Sequence, residues 1–254
     1  MIIREDKELN GMKRVSHAVG YTLKKMQEYA CIGMSTKELD NYGKVLLDSF
    51  GANSAPKKIY NFPAYTCISV NHVIAHGIAS DKLILQEGDL INVDVSAELD
   101  GFFSDNGTSF VIGEDIHNHS PLVEASRNIL RLAINSVSGG VPISQIGRII
   151  ETEAKKVGFS VIENLAGHGV GYSLHEDPDC ILNYYDISEK RRFRKDSAIA
   201  VETFISTSSK LALTKSDGWT LVGNKGGFVA QHEHTLLVTS GEPIILTYDN
   251  GIFS

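Results

Sequence analysis

Two periodicities divide the chain. From about residue 5 to 30, apolar positions recur at helical spacing among mixed charges. A second helix is predicted after Ser35-Thr36-Lys37-Glu38, a capping box with Ser35 as N-cap and Glu38 reaching back to it. Leu39, Tyr42, Leu46 and Phe50 then repeat on one face, and Gly51 supplies the stop. Ser120-Pro121 reads as an N-cap followed by proline, opening a helix expected to run to Ser138. A further helical pattern covers about 144–157 and ends at Gly158. The other periodicity is alternation, which predicts strands at 66–71, 90–99, 198–205 and 228–239. In the second of these, Ile91, Val93, Val95, Ala97 and Leu99 point one way and Asn92, Asp94, Ser96 and Glu98 the other. Helices concentrated in the first two thirds, with strands in several blocks, predict an α+β class.

Composition narrows this picture. The chain has 254 residues, 42% of them apolar and 22% charged, with no low-complexity stretch or long linker, so one domain over 1–254 is expected. The net charge of −7 argues against DNA, RNA or an anionic membrane surface as a non-specific partner. Cys31, Cys67 and Cys180 are odd in number and irregular in spacing, which implies no disulfide framework. The opening MIIREDKELN turns charged at Arg4 and lacks a signal-like apolar core; no apolar run is long enough to span a bilayer. A cytoplasmic protein is the expectation.

The most informative chemistry lies on a predicted hairpin. Asp100-Gly101 joins the alternating strand to Phe102-Phe103-Ser104-Asp105, a two-residue turn signal that sets 99 opposite 102, 96 opposite 105 and 94 opposite 107. Asp94 and Asp105 then share the polar face, diagonally placed about 7–8 Å apart at Cα. Two carboxylates so close need a shared proton, a metal, or free solvation in water. Glu202 and Glu233 shift that balance, because each is embedded in an otherwise apolar strand with no basic residue placed nearby as a partner. A salt bridge from elsewhere or a divalent cation would satisfy them.

Nine histidines complete the inventory. His17, His117 and His119 lie in polar or helical contexts and are expected on the surface. His168 sits between Gly167 and Gly169, which permit close backbone approach, and His175 follows in Leu174-His175-Glu176-Asp177-Pro178. Each alone fits a structural histidine as well as a ligand. Hard oxygens with one imidazole suit Mn, Fe, Co or Zn better than a thiolate site would. A weak internal echo, Ala75-His76-Gly77-Ile78 against Gly167-His168-Gly169-Val170, is compatible with a duplicated half or with chance.

Taken together, FPAYTCISVNHVIAHG (62–77), GDLINVDVSAELDGFFSDNGTSF (88–110), GHGVGYSLHEDP (167–178) and VAQHEHT (229–235) resemble the bacterial type I methionine aminopeptidases over nearly the whole chain. The resemblance implies the pita-bread fold: a pseudo-two-fold antiparallel sheet with helices packed on its outer face. It implies a metalloaminopeptidase that removes the N-terminal methionine from nascent proteins and peptides when the second residue is small, metal-activated water attacking the first peptide bond. Two divalent ions (Co, Mn, Fe, Zn or Ni) are implied. Asp94 matches a ligand of the second metal, Asp105 and Glu233 the bridging carboxylates, and His168 and Glu202 the remaining ligands of the first. His76 and His175 match the substrate-contacting histidines, and Glu202 is the candidate proton shuttle. Phe62, Cys67 and Trp219, joined by Leu174, match the methionine pocket. Nascent N-termini, met at the ribosome, are the implied partners of a monomer, with no DNA and no membrane. Its rivals are a metal-free protein of the same fold, a proline-directed peptidase on that fold, and a two-His-one-carboxylate iron oxygenase.

One departure stands out. Thr203 follows Glu202, where the resemblance leads one to expect proline. Threonine restores a backbone donor and frees φ, so a looser strand around Glu202 is the expectation.

Overall fold

The computed structural model describes residues 1–253. Its helices are α1 (Asp6–Tyr29), α2 (Thr36–Ser49), α3 (Ala55–Tyr60), α4 (Ser120–Ile134) and α5 (Ser144–Lys156). The strands of the first half are β1 (Asn53–Ser54), β2 (Cys67–Val70), β3 (Val73–Ala75), β4 (Leu90–Leu99) and β5 (Phe102–Val111). Those of the second half are β6 (Ser160–Val161), β7 (Ala166–Gly169), β8 (Glu176–Leu182), β9 (Ala198–Ser206), β10 (Ala212–Thr214), β11 (Leu221–Gly223), β12 (Val229–Leu237) and β13 (Ile244–Ile245). No described helix is long and apolar enough to cross a membrane.

The first half is built around the β4–β5 hairpin. Its turn residues Asp100 and Gly101 both take positive φ, as a tight two-residue hairpin requires, and the register sets Leu99 opposite Phe102 and Ser96 opposite Asp105. β2 adds to the other edge of β4, placing Cys67 opposite Asp94. The apolar face of β4 packs with α1 and α2: Ile91, Val93, Val95 and Ala97 form one cluster with Ala18, Val19, Leu23, Leu39 and Leu47. At roughly 1.5–3 kcal/mol for each large side chain buried, that face supplies the main force holding the helices on the sheet. The Ser35–Glu38 capping box forms as predicted, with Ser35 N–H donating to Glu38 at 2.8 Å and Glu38 N–H to Ser35 Oγ at 3.1 Å. α2 also carries Asp40, whose Oδ1 accepts from the amides of Tyr65 and Thr66 and so positions the start of β2.

The second half repeats the plan. β9 and β12 pair antiparallel, and α4 and α5 cover their outer face through Ile129, Leu130, Ile146, Ile150, Val201 and Leu236. β7 and β8 extend this sheet beyond β9. The two halves meet where β5 runs beside β12: Asp105 N–H donates to Thr235 Oγ1 at 3.0 Å, and Gln231 N–H to Ser109 Oγ at 2.9 Å. Helices therefore coat the outside, and the inner faces of both hairpin-like pairs look toward one cleft.

Three boundaries need correction. α4 begins at Ser120 itself rather than after it, because the Asp115 carboxylate takes the amides of His119 and Ser120 and caps the helix from outside. α4 also ends at Ile134 rather than Ser138; the backbone winds down through tight turns, Ser136 to Ala133 and Val137 to Ile134, before Gly139. The strand expected at 228–239 is two residues shorter at its C-terminal end.

Candidate metal centre and substrate cleft

Strand alternation turns one carboxylate from each of the four long strands inward. Asp94 comes from β4, Asp105 from β5, Glu202 from β9 and Glu233 from β12, the last two directly opposite each other in register. His168 arrives on β7, next to β9. Its flanking glycines are required: a Cβ at 167 would sit 2.4 Å from the carbonyl oxygen of Ala200, and one at 169 would sit 2.4 Å from that of Asp177. His76 follows β3 in a left-handed conformation at φ 53°, unusual for a residue with a side chain.

These groups line a cleft of about 180 Å³ together with His175, Phe62, Cys67, Leu174 and Trp219. All eleven residues singled out in the sequence meet there. A larger cavity of about 450 Å³ around Met1, Ile143 and Arg191–Arg194 contains none of them, so chemistry rather than volume distinguishes the cleft.

The electrostatics of the cleft are lopsided. Among the described residues no lysine or arginine pairs with any of the four carboxylates; their side-chain partners are each other, His168 beside Asp105, and Gln231, which donates to Glu233 at 3.0 Å and to Glu202 at 3.3 Å. Oδ1 of Asp105 and Oε1 of Glu233 are buried without any hydrogen-bond partner. Enclosure by the protein pushes Asp94 up to about 7; burial, with repulsion from Asp94, pushes Glu202 up to about 8. Burial and the neighbouring carboxylates hold Asp105 and Glu233 well above the ordinary range. His168 moves the opposite way: burial, with repulsion from His175, lowers it to about 4. Its Nδ1 lies 2.9 Å from the carbonyl oxygen of Gly169, so Nδ1–H donates and the Nε2 lone pair faces Asp105 Oδ2, 3.8 Å away.

This donor set fits a divalent cation. Ligand atoms of Asp105, His168 and Glu233 lie within 4.8 Å of one another, and the unpartnered oxygens belong to two of those residues. A cation among them would satisfy the orphaned atoms and offset the repulsion in one step. The freely solvated hairpin face is thereby overturned: Asn92, Ser96 and Asp105 are buried, because β12 and its partners close over that side of β4 and β5.

Comparison with known proteins agrees with this geometry. A family model described as metallopeptidase family M24 matches residues 10–240. The chain belongs to metallopeptidase family M24. This metallopeptidase is 46% identical over 247 residues to methionine aminopeptidase 2 of Bacillus subtilis (strain 168), covering 97% of this chain and 99% of that one. Against the crystal structure of methionine aminopeptidase from Thermotoga maritima the TM-score is 0.92 at 31% identity, with 97% of this chain and 99% of that chain covered. The prolidase of Pyrococcus horikoshii shares the fold at TM-score 0.76 and 21% identity, over 97% of this chain and 63% of that one. The fold is the pita-bread fold.

Some participants in the metallopeptidase cleft escaped the sequence reading. Tyr60, on the six-residue α3, places its hydroxyl 2.8 Å from His175 Nδ1; nothing in the sequence tells where so short a helix points. Gln231 could have been found, since it stands two residues before Glu233 on the same strand face. Two readings are corrected. His119 is 5% exposed rather than on the surface, packed against the ring of Phe228 at 4.3 Å. Thr203 does not loosen β9. It is fully buried, its hydroxyl lies 2.8 Å from Ser126 Oγ, and it ties the strand to α4 beside Glu202.

Proposed function

We propose that this metallopeptidase is a methionine aminopeptidase, acting in the cytoplasm on nascent polypeptides as they leave the ribosome. The observation that carries the reading is the composition of one cleft: a carboxylate–imidazole cluster without cationic partners, set beside an apolar wall. In that wall the rings of Phe62 and Trp219 meet edge to face at 5.3 Å, with Cys67 and Ala64 in the same cluster. Leu174 lines the cleft as well. Such a slot suits an unbranched thioether side chain, which fills irregular apolar space and makes favourable contacts with aromatic rings.

Asp94, Asp105, His168, Glu202 and Glu233 would hold two divalent cations. When bound, these supply an acidified water and a polarised carbonyl. The remaining work falls to side chains. Glu202 accepts the proton of the attacking water and passes it to the leaving amine. His175 is held through Nδ1 by Tyr60, so Nε2 is the atom free to stabilise the carbonyl oxygen as charge develops. Burial lowers the pKa of both His175 and His76, which keeps them neutral hydrogen-bonding groups near pH 7. His76 contacts the scissile amide nitrogen. Asp94 receives the substrate's free α-amine, confining cleavage to chain ends.

Hydrolysis of Met-Ala-Ser, Met-Lys-Ser and Leu-Ala-Ser with and without added Mn or Co tests the proposal. Metal-dependent cleavage of Met-Ala-Ser alone is the expected result; equal rates on all three peptides would overturn it.

A further inference from the structure

The faces of β5 and β12 turned away from the cleft border another cavity, of about 300 Å³, between α4, α1 and the segment around Ile252. Donors converge on it. Arg127, half-buried on α4, lines it with no ion pair or hydrogen bond to any described residue. A guanidinium cannot shed its proton, so its charge there calls for an acceptor. His232 is 2% exposed and lines the same cavity. Its Nδ1 lies 2.9 Å from Ser126 Oγ, which lies 2.8 Å from Thr203 Oγ1. In the tautomer where Thr203 donates to Ser126 Oγ and Ser126 donates to Nδ1, the imidazole proton sits on Nε2, which has no partner among the described residues. Thr108, 3% exposed, adds a hydroxyl that is also without a partner there.

Two acidic residues line the cavity as well. Asp115 accepts the amides of His119 and Ser120 at 2.7 Å each, Glu124 is exposed at the rim, and no ion pair joins either of them to Arg127. Neither neutralises Arg127. Among the described residues, no side chain supplies one acceptor that meets the guanidinium fork of Arg127, the imidazole of His232 and the hydroxyl of Thr108 together.

We propose that this cavity binds a small oxyanion, a carboxylate or phosphate-type group, held by Arg127, His232 and Thr108. The site stands one residue behind both Glu202 and Glu233, since Thr203 and His232 are their chain neighbours and face each other in register. It does not depend on the aminopeptidase reading.

Thermal unfolding of the manganese-loaded chain at constant ionic strength, with chloride replaced stepwise by sulfate, phosphate or acetate, tests this. A saturable rise in Tm with a midpoint in the low millimolar range is expected for at least one anion. Arg127→Gln should weaken that midpoint at least tenfold. Thr108→Val should weaken it severalfold and keeps the test open should the arginine variant fold poorly. Turnover of Met-Ala-Ser without added anion should stay within twofold of the parent in both variants. A stronger response to sulfate and phosphate marks a tetrahedral ligand; a stronger one to acetate marks a carboxylate. No saturable response to any anion, or an identical response in Arg127→Gln, would overturn the proposal.

Discussion

Glu98 and Asp94 sit on the same face of one strand, four residues apart, yet their surroundings differ in kind. Glu98 is buried, but Lys58 and Asn53 donate to it at 2.7 and 2.9 Å and the amide of Gly101 at 2.7 Å. Burial pushes its pKa up, and these partners outweigh that and hold it below the ordinary value. Asp40 is likewise settled, by Lys37, Thr66 and two backbone amides. Among the described residues, Asp94, Asp105, Glu202 and Glu233 have one amide side chain, one neutral imidazole and each other. Burial alone therefore does not mark a functional carboxylate. Burial without a cation does, because the uncompensated charge costs several kcal/mol until a ligand arrives.

The sharpest way to break this contrast is to neutralise one member of each set. Asp105→Asn should lose bound metal and reduce turnover of Met-Ala-Ser by at least ~10³-fold, while the metal-free chain keeps its fold or gains stability as repulsion falls. His76→Ala should cost roughly 10²-fold in turnover and keep its metal. Metal content and kinetics on the two variants decide the assignment, and equal metal content with equal activity in both would defeat it. Asp40→Ala should do the reverse of Asp105→Asn. It should lower stability by about 3 kcal/mol in denaturant titration, stranding the donors of Lys37, Tyr65 and Thr66, while metal per folded chain stays unchanged.

The two sets also differ in pH dependence. The cleft carboxylates have pKa values raised in the folded, metal-free chain, so folding takes up protons. The stability they contribute is complete below their unfolded values near 4 and is lost as pH rises through about 7 for Asp94 and about 8 for Glu202. Metal-free protein should thus melt roughly 10–20 °C lower at pH 8 than at pH 5.5, a loss on the order of 5 kcal/mol for the two groups together. Added Mn should abolish or invert that slope, because it favours the ionised forms. A flat profile without metal would sink the account. Glu98 has the opposite sign and contributes most above its unfolded value. The smallest effect expected is that of Thr203→Val, which keeps the shape of the side chain and removes its bond to Ser126. A loss of about 1–2 kcal/mol is predicted, visible as a shift in denaturant midpoint with unchanged slope.

Much of the fold is visible in local pattern. The alternation of β4, the Asp100-Gly101 turn and the Ser35–Glu38 box each depend on neighbours within a few residues, and the structure reproduces them. The start of α4 and the burial of His119 are not legible in the local pattern: Asp115, in the loop before the helix, takes the amides of His119 and Ser120, and Phe228, just ahead of β12 and more than a hundred residues away, packs on His119. The grouping of Asp94 with Asp105 followed from hairpin register alone, whereas linking them to His168, Glu202 and Glu233 rested on resemblance.

By itself, the order of residues determined which side chains face together within each strand, because a period of two is a property of the extended backbone. It also determined that Glu202 and Glu233 would be buried charges in need of a partner. Only the tertiary structure decided what that partner could be. The packing of β5 against β12 brings carboxylates from both halves close together and leaves two of their oxygens without a hydrogen bond. It also leaves Lys58 with Glu98 and, among the described residues, no lysine or arginine for the four in the cleft. Coulomb energies and desolvation depend on distance and enclosure, which alternation along a strand does not specify across a sheet junction.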